Sequence, residues 1–115
     1  MTHRTFSAAL VALALTIGAP AQAGAPELSL ALTLKNHRFT PAILNVPKGT
    51  RVRINLVNLD AATEEFDSHD LRVEQLVTPH GKVSFPIGPL NAGTYTFMGE
   101  FHPDTARGQI IVRER

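Results

Sequence analysis

The segment GTYTFMGEFHP, residues 93–103, alternates apolar with polar side chains and ends in two residues that can bind metal ions, Glu100 and His102. Alternation with a period of two is typical of a β-strand that buries one face. The side chains that this pattern directs toward a core are Tyr95, Phe97 and Phe101. Met98, Glu100 and His102 then share the opposite face. We therefore predict a half-buried strand with ligand-type side chains near its end.

The same alternation recurs in short segments along the rest of the chain. Together with residues 95–101, the predicted strands span residues 28–34, 43–46, 52–59, 71–77, 83–87 and 109–113. Proline and glycine interrupt the pattern and predict turns at residues 47–49, 79–81 and 89–93. About seven short strands with regularly spaced turns are typical of a sandwich. We therefore predict one all-β domain, a β-sandwich of about seven strands.

The first 23 residues have the composition of an export signal. A short basic start with Arg4 precedes an apolar run over residues 6–17, and Ala21-Gln22-Ala23 follows. This order is typical of a secretory signal peptide, and the run is shorter than the roughly 20 residues of a transmembrane helix. We predict a Sec-type signal peptide over residues 1–23, a mature domain over residues 24–115 and a periplasmic location.

Charge and cysteine content narrow the classes of function. Without the predicted signal peptide, the chain has ten basic and ten acidic residues, so its formal net charge is zero. A nucleic-acid-binding domain carries a basic surplus, so we predict no nucleic-acid partner. The chain has no cysteine, and thiolate metal ligands are therefore excluded. It also has no G-x-S-x-G motif, which argues against a hydrolase of that type.

Carboxylate and histidine side chains cluster in two segments, residues 64–70 and residues 98–104. Residues two apart point the same way in an extended chain. Glu65, Asp67 and His69 of the first segment are therefore predicted to share one side. If the two segments meet at one end of the sandwich, their imidazole and carboxylate groups suit Cu(II), iron or zinc. The predicted metal ligands are Glu65, Asp67, His69, Glu100 and His102. The alternative is that both segments are solvated loops. The histidines outside these segments are predicted to be surface residues, namely His37 and His80.

From about Leu32 to Val112, the chain resembles the cupredoxin-like domains that accompany bacterial ferrous-iron permeases and related periplasmic iron-transport proteins. The general motifs of the resemblance are F-T-P at 39–41, V-P-K-G at 46–49 and G-T-Y-T-F at 93–97. Two narrower motifs point to the iron-associated branch, E-E-F-D-S at 64–68 and G-E-F-H-P at 99–103. The resemblance implies a Greek-key β-sandwich.

The resemblance also implies where metal ligands lie. Blue-copper domains of this fold carry a cysteine, a histidine and usually a methionine before the last strand, and a further histidine upstream. In this chain, Gly99 stands at the cysteine position, His102 keeps the histidine position and Ala106 stands at the methionine position. Two candidates for the upstream position stay open, Asp67 and His69. A blue-copper site of the His₂Cys kind is therefore excluded, and the remaining oxygen and nitrogen ligands favour Cu(II) or iron.

These inferences predict a periplasmic metal-binding accessory of an iron-uptake system, with a copper or iron ion as its cofactor. Its partners would be a membrane iron permease and other periplasmic iron-uptake components. It would assist ferrous iron oxidation, transfer electrons or deliver iron, and a stand-alone enzyme is the less favoured reading. The alternative is a metal-free β-sandwich that serves as an interaction module for a membrane transporter. The metal's identity, the role of Met98 and the oligomeric state are not predicted.

Overall fold

The computed structural model describes Thr2 and residues 26–114, and within this part of the chain the protein is entirely β-structure. The strands are β1 (Leu28–Lys35), β2 (Arg38–Thr40), β3 (Ile43–Pro47), β4 (Val52–Asn58), β5 (Glu64–Ser68), β6 (Val73–Val77), β7 (Lys82–Ile87), β8 (Gly93–Gly99) and β9 (Arg107–Arg113). The predicted signal peptide lies outside the described residues, apart from Thr2. No helix in the described part of the chain is long and apolar enough to cross a membrane.

The nine described strands form two sheets. The four-stranded sheet has the order β2-β1-β4-β7, and the five-stranded sheet has the order β3-β9-β8-β5-β6. Most neighbours are antiparallel, but β1 pairs with β4 and β3 pairs with β9 in parallel. Parallel neighbours require crossover connections, so the chain passes back and forth between the sheets. The predicted all-β sandwich is confirmed.

Alternating side chains from both sheets fill the space between them. In β4, the residues at even positions are buried and those between them are more exposed. Four phenylalanines form the centre of the core around Phe66, whose ring lies 4.8 Å from Phe85, 4.9 Å from Phe97 and 6.0 Å from Phe39 between centroids. These separations fall in the range in which aromatic pairs attract each other. The core therefore fixes β5 and β8 side by side, at the place where the polar segments begin.

Three local expectations from the sequence differ from the structure. Residues 38–40 form β2 and Glu64–Ser68 form β5, although neither segment is among the predicted strands. The predicted strand through Phe101 ends at Gly99, and Phe101 is 49% exposed rather than in the core. The physical reason is a turn after Gly99, which is closed by a hydrogen bond from the N–H of His102 to the carbonyl of Gly99 at 3.1 Å. Alternation therefore stops at Gly99, and Met98 and His102 do not continue one strand face.

Replacement of Phe66 by alanine is expected to lower the free energy of unfolding by about 3–5 kcal/mol, because it leaves a cavity between the three aromatic rings that Phe66 contacts. Leu76→Ala is the control, since Leu76 is 60% exposed, and it should change stability by less than about 0.5 kcal/mol. Urea denaturation followed by circular dichroism measures both values. Equal losses in the two variants would contradict a central position for Phe66.

Candidate metal centre

A buried carboxylate lies where β8 ends. Glu64 is the first residue of β5, and it is only 1% exposed because its side chain points inward on the same face as Phe66. Its Oε1 accepts hydrogen bonds from the backbone N–H groups of Glu65 at 3.0 Å and Phe101 at 2.9 Å. Its Oε2 accepts one from Nδ1 of His102 at 2.5 Å. These partners offset the cost of removing a carboxylate from water.

The turn between β8 and β9 holds His102 in place. The N–H of His102 donates to the carbonyl of Gly99 at 3.1 Å, and the N–H of Ala106 donates back to the carbonyl of His102 at 2.9 Å. The imidazole therefore projects toward Glu64 from a short hydrogen-bonded loop. Its side chain is 29% exposed, so one part of the ring contacts the carboxylate while another part faces solvent.

A second imidazole lies over the first. Lys35 pairs with Arg38 across the β1–β2 hairpin, which leaves a two-residue turn of Asn36 and His37. The ring of His37 stacks on the ring of His102, with centroids 3.6 Å apart and planes inclined by 12°. His37, Glu64 and His102 each offer one ligand atom, and these atoms all lie within 4.8 Å of one another. We call these three residues the inner site.

Asp60 holds the turn that carries His37. Its Oδ1 accepts the N–H of Asn36 at 2.7 Å and its Oδ2 accepts the N–H of His37 at 2.9 Å. Partial burial raises the pKa of Asp60, but these two hydrogen bonds and the nearby His37 and His102 outweigh that effect. The pKa of Asp60 therefore lies below its ordinary value, and the charged form that accepts both bonds is favoured.

The inner site does not suit a blue-copper ion. A Cβ added at Gly99 would lie 2.6 Å from Cδ of Glu64 and 2.7 Å from Cβ of Ala106. Gly99 and Ala106 offer no side-chain donor, and the carboxylate of Glu64 already fills the space beside Gly99. The donors present are two imidazoles and one carboxylate, which suit a divalent ion with nitrogen and oxygen ligands.

Two other predicted ligands, Glu65 and Asp67, lie on the outer face of the five-stranded sheet, and Glu100 lies beside them. Glu65 and Asp67 alternate with the inward-facing residues of β5, and their carboxylates lie within 4.8 Å of each other and of Glu74. The pKa of Glu100 is raised by a hydrogen bond with Asp67 and by the charges of Asp67, Glu65 and Glu74. We call these four acidic residues the outer group. Like charges this close favour retention of a proton on one of them.

The five predicted ligands therefore do not form one cluster. Glu65, Asp67 and Glu100 belong to the outer group, whereas His102 belongs to the inner site. His69 is exposed in the turn after β5. The structure places Glu64, and neither Asp67 nor His69, against Gly99 and His102. Participation of Glu65, Asp67, His69 and Glu100 in metal binding stays a prediction.

The sequence analysis missed three residues of this region. Glu64 and Phe66 are two residues apart in an extended segment and therefore point to the same face, so a core position for Phe66 indicates that Glu64 also points inward. His37 is partly exposed, as a surface residue is, with 41% of its side chain accessible, but its ring also stacks on His102. No local pattern identifies His37 or Asp60, because their contact with the site depends on the packing of the hairpin against the β4–β5 connection.

A two-sheet Greek-key sandwich with a histidine-bearing turn before its last strand defines a cupredoxin-like domain. The family model described as Cupredoxin-like domain matches residues 7–112, and the chain therefore belongs to this family. An uncharacterized protein of Rickettsia prowazekii (strain Madrid E) is 45% identical over 87 residues, which cover 76% of this chain and 70% of that protein.

Solved structures with the same fold include copper proteins of low sequence identity. Auracyanin A, a "blue" copper protein from Chloroflexus aurantiacus, has a TM-score of 0.66 and 15% identity over 76% of this chain and 100% of its own. The metal-binding domain of the Streptococcus pneumoniae Cu(I)-exporting P-type ATPase CopA, solved with Cu(I), has a TM-score of 0.69 and 13% identity. That match covers 76% of this chain and 87% of the domain. At these identities the likeness concerns the fold alone.

Gly99→Ala is expected to lower the free energy of unfolding by about 1–3 kcal/mol, since the new methyl group overlaps Glu64 and Ala106. In a Glu64→Ala background one of these overlaps disappears, so the same change should cost at least about 0.5 kcal/mol less. A double-mutant cycle measured by urea denaturation gives this coupling. Strictly additive effects would contradict the close approach of Glu64 to Gly99.

Proposed function

We propose that this protein is a periplasmic metal-binding accessory of an iron-uptake system, and that it binds iron or Cu(II) at the inner site. The observation that carries the proposal is the clustering of two imidazoles and a buried carboxylate with ligand atoms within 4.8 Å of one another. His102 supplies one imidazole from the β8–β9 turn and His37 supplies the other. Glu64 supplies the negative charge that partly neutralises a divalent ion.

The donor chemistry favours one class of ion. Two histidines and one carboxylate are a common ligand set of non-haem Fe(II), and imidazole and carboxylate groups also bind Cu(II) and zinc. Cu(I) prefers thiolate and thioether ligands, and the inner site contains neither. The copper proteins that share this fold support metal binding, while the nitrogen and oxygen donors of the inner site support a harder ion in this chain.

Delivery of iron fits this site better than an independent oxidation reaction. A mononuclear centre of three side chains contains no acceptor for the electron that Fe(II) would release on oxidation. We therefore assign the protein the binding of iron and its transfer to a membrane permease or another periplasmic partner. The proposed location rests on the secretory signal pattern of residues 1–23.

Metal titration of the purified protein tests this function. After treatment with a chelator, the protein should bind one Fe(II) under anaerobic conditions, or one Cu(II), as measured by calorimetry. His102→Ala and Glu64→Gln should each weaken binding at least about tenfold, which corresponds to about 1.4 kcal/mol. Glutamine keeps the size of Glu64 and a carbonyl acceptor for its backbone donors, so the fold is expected to persist.

The outer group provides the matched control. A triple variant with Glu65→Gln, Asp67→Asn and Glu100→Gln removes three carboxylates and should leave the affinity of the inner site unchanged. Loss of binding in this variant, with binding retained in His102→Ala, would show that the metal binds to the outer group instead of the inner site. Failure of the wild-type protein to bind either ion would favour the metal-free interaction module.

A further inference from the structure

We propose that Asp60 is a positioning residue, which holds the Asn36–His37 turn so that His37 completes the inner site. This inference rests on the proposed metal-binding function and explains how one of the ligands, His37, is held in position. His37 lies outside the β8–β9 turn that carries His102, and it reaches the site from the opposite sheet. The position of its ring therefore depends on how the hairpin is held.

The hairpin turn carries an unfavourable residue at its second position. Asn36 and His37 have φ values of 52° and 56°, both in the left-handed region. Two-residue hairpin turns of this kind favour asparagine followed by glycine, because glycine adopts positive φ without steric cost. Asn36 fits that preference, whereas His37 does not. A strained backbone at a candidate functional site is consistent with selection for the side chain rather than for stability.

Asp60 offsets this strain by binding both residues of the turn. Each of its two oxygens accepts one backbone N–H, from Asn36 and from His37. Asp60 is itself fixed, because its N–H donates to Oδ1 of Asn58 at 2.9 Å. Asn58 is fully buried, and its Nδ2 donates to the carbonyl of Ala62 at 2.8 Å. A continuous chain of hydrogen bonds thus connects the core to the backbone of His37.

Both imidazoles are consequently held without a metal ion. Glu64 fixes His102 through Nδ1, and the turn held by Asp60 keeps His37 stacked on one face of the His102 ring. The lone pairs of two nearly parallel rings do not converge, so the His37 side chain must rotate to bind the same ion as His102, and Asp60 fixes the backbone from which it does so. A backbone that is ordered before binding loses less conformational entropy when the ion binds. Asp60 should therefore raise metal affinity although its own carboxylate is engaged by backbone donors.

Asp60→Asn is the first test, because an amide has only one oxygen and can accept only one of the two N–H bonds cleanly. Asp70→Asn is the control for the loss of a carboxylate charge, because Asp70 accepts two hydrogen bonds from N and Oγ1 of Thr96 on a single oxygen, Oδ2, away from the inner site. In the metal-free protein, NMR should show loss of the mutual ring-current shifts of His37 and His102 only in Asp60→Asn. Calorimetry should show at least about a tenfold loss of Cu(II) affinity only in that variant.

The paramagnetic resonance spectrum of the Cu(II) protein gives a readout that a purely structural role would not change. It should report two coordinated imidazole nitrogens in the wild type and in Asp70→Asn, and one in Asp60→Asn. Unchanged ring-current shifts and unchanged affinity in Asp60→Asn would overturn the positioning role. No Cu(II) or Fe(II) binding by the wild type would overturn the proposed function, while the NMR comparison would still decide whether Asp60 positions His37.

His37→Gly keeps the test decisive if Asp60→Asn fails to fold. Glycine suits the backbone of this turn, so the variant should be at least as stable as the wild type in urea. It should nevertheless bind Cu(II) at least about tenfold more weakly, because one ligand is removed. Wild-type affinity in His37→Gly would overturn the inference. Weaker binding by a protein of undiminished stability would support it.

Discussion

The buried carboxylate of Glu64 is the constraint on which this end of the molecule depends. It lies between the two sheets at the start of β5, where an unpartnered charge would cost several kcal/mol. Its three hydrogen bonds join the first residues of β5 to the β8–β9 turn and orient His102. Within the described part of the chain, every buried side-chain polar atom has a partner. The site is therefore an ordered part of the fold even without an ion.

Glu64 also explains how a cupredoxin-like frame accommodates the absence of cysteine. Gly99 leaves room beside the strand end, and the Glu64 carboxylate occupies that room so closely that even a methyl group at position 99 would require Glu64 and Ala106 to shift. Ala106 is fully buried against the same point. Glycine, alanine and glutamate at these three positions are thus complementary in volume. The ligand atoms that remain at this end of the fold are oxygen and nitrogen.

The strand pattern made the sandwich predictable, because side-chain alternation directly reflects burial in β4 and β8. The candidate site was less predictable for two physical reasons. Strand β8 ends at Gly99, so parity counted through Phe101 and His102 assigned these residues to the wrong faces. The approach of His37 depends on tertiary packing and on a left-handed turn, and neither leaves a periodic signal in the sequence. The clustering of ligand-type side chains in residues 98–104 and the family motif both marked His102, although strand alternation assigned it to the wrong face.

The arrangement of hydrogen bonds limits how the inner site would hold an ion. Oε1 of Glu64 is committed to two backbone N–H groups and Oε2 to Nδ1 of His102, so Oε2 can serve as the carboxylate donor only in exchange for the proton that it shares with His102. With His37 and His102, the protein then supplies three donors, fewer than the four that close a structural zinc site. The two imidazole side chains are 41% and 29% exposed. Water or a group from a partner can complete the coordination from the solvent side. An open, partly exposed centre of this kind exchanges its ion more readily than a closed one, which is the property that the proposed delivery of iron requires.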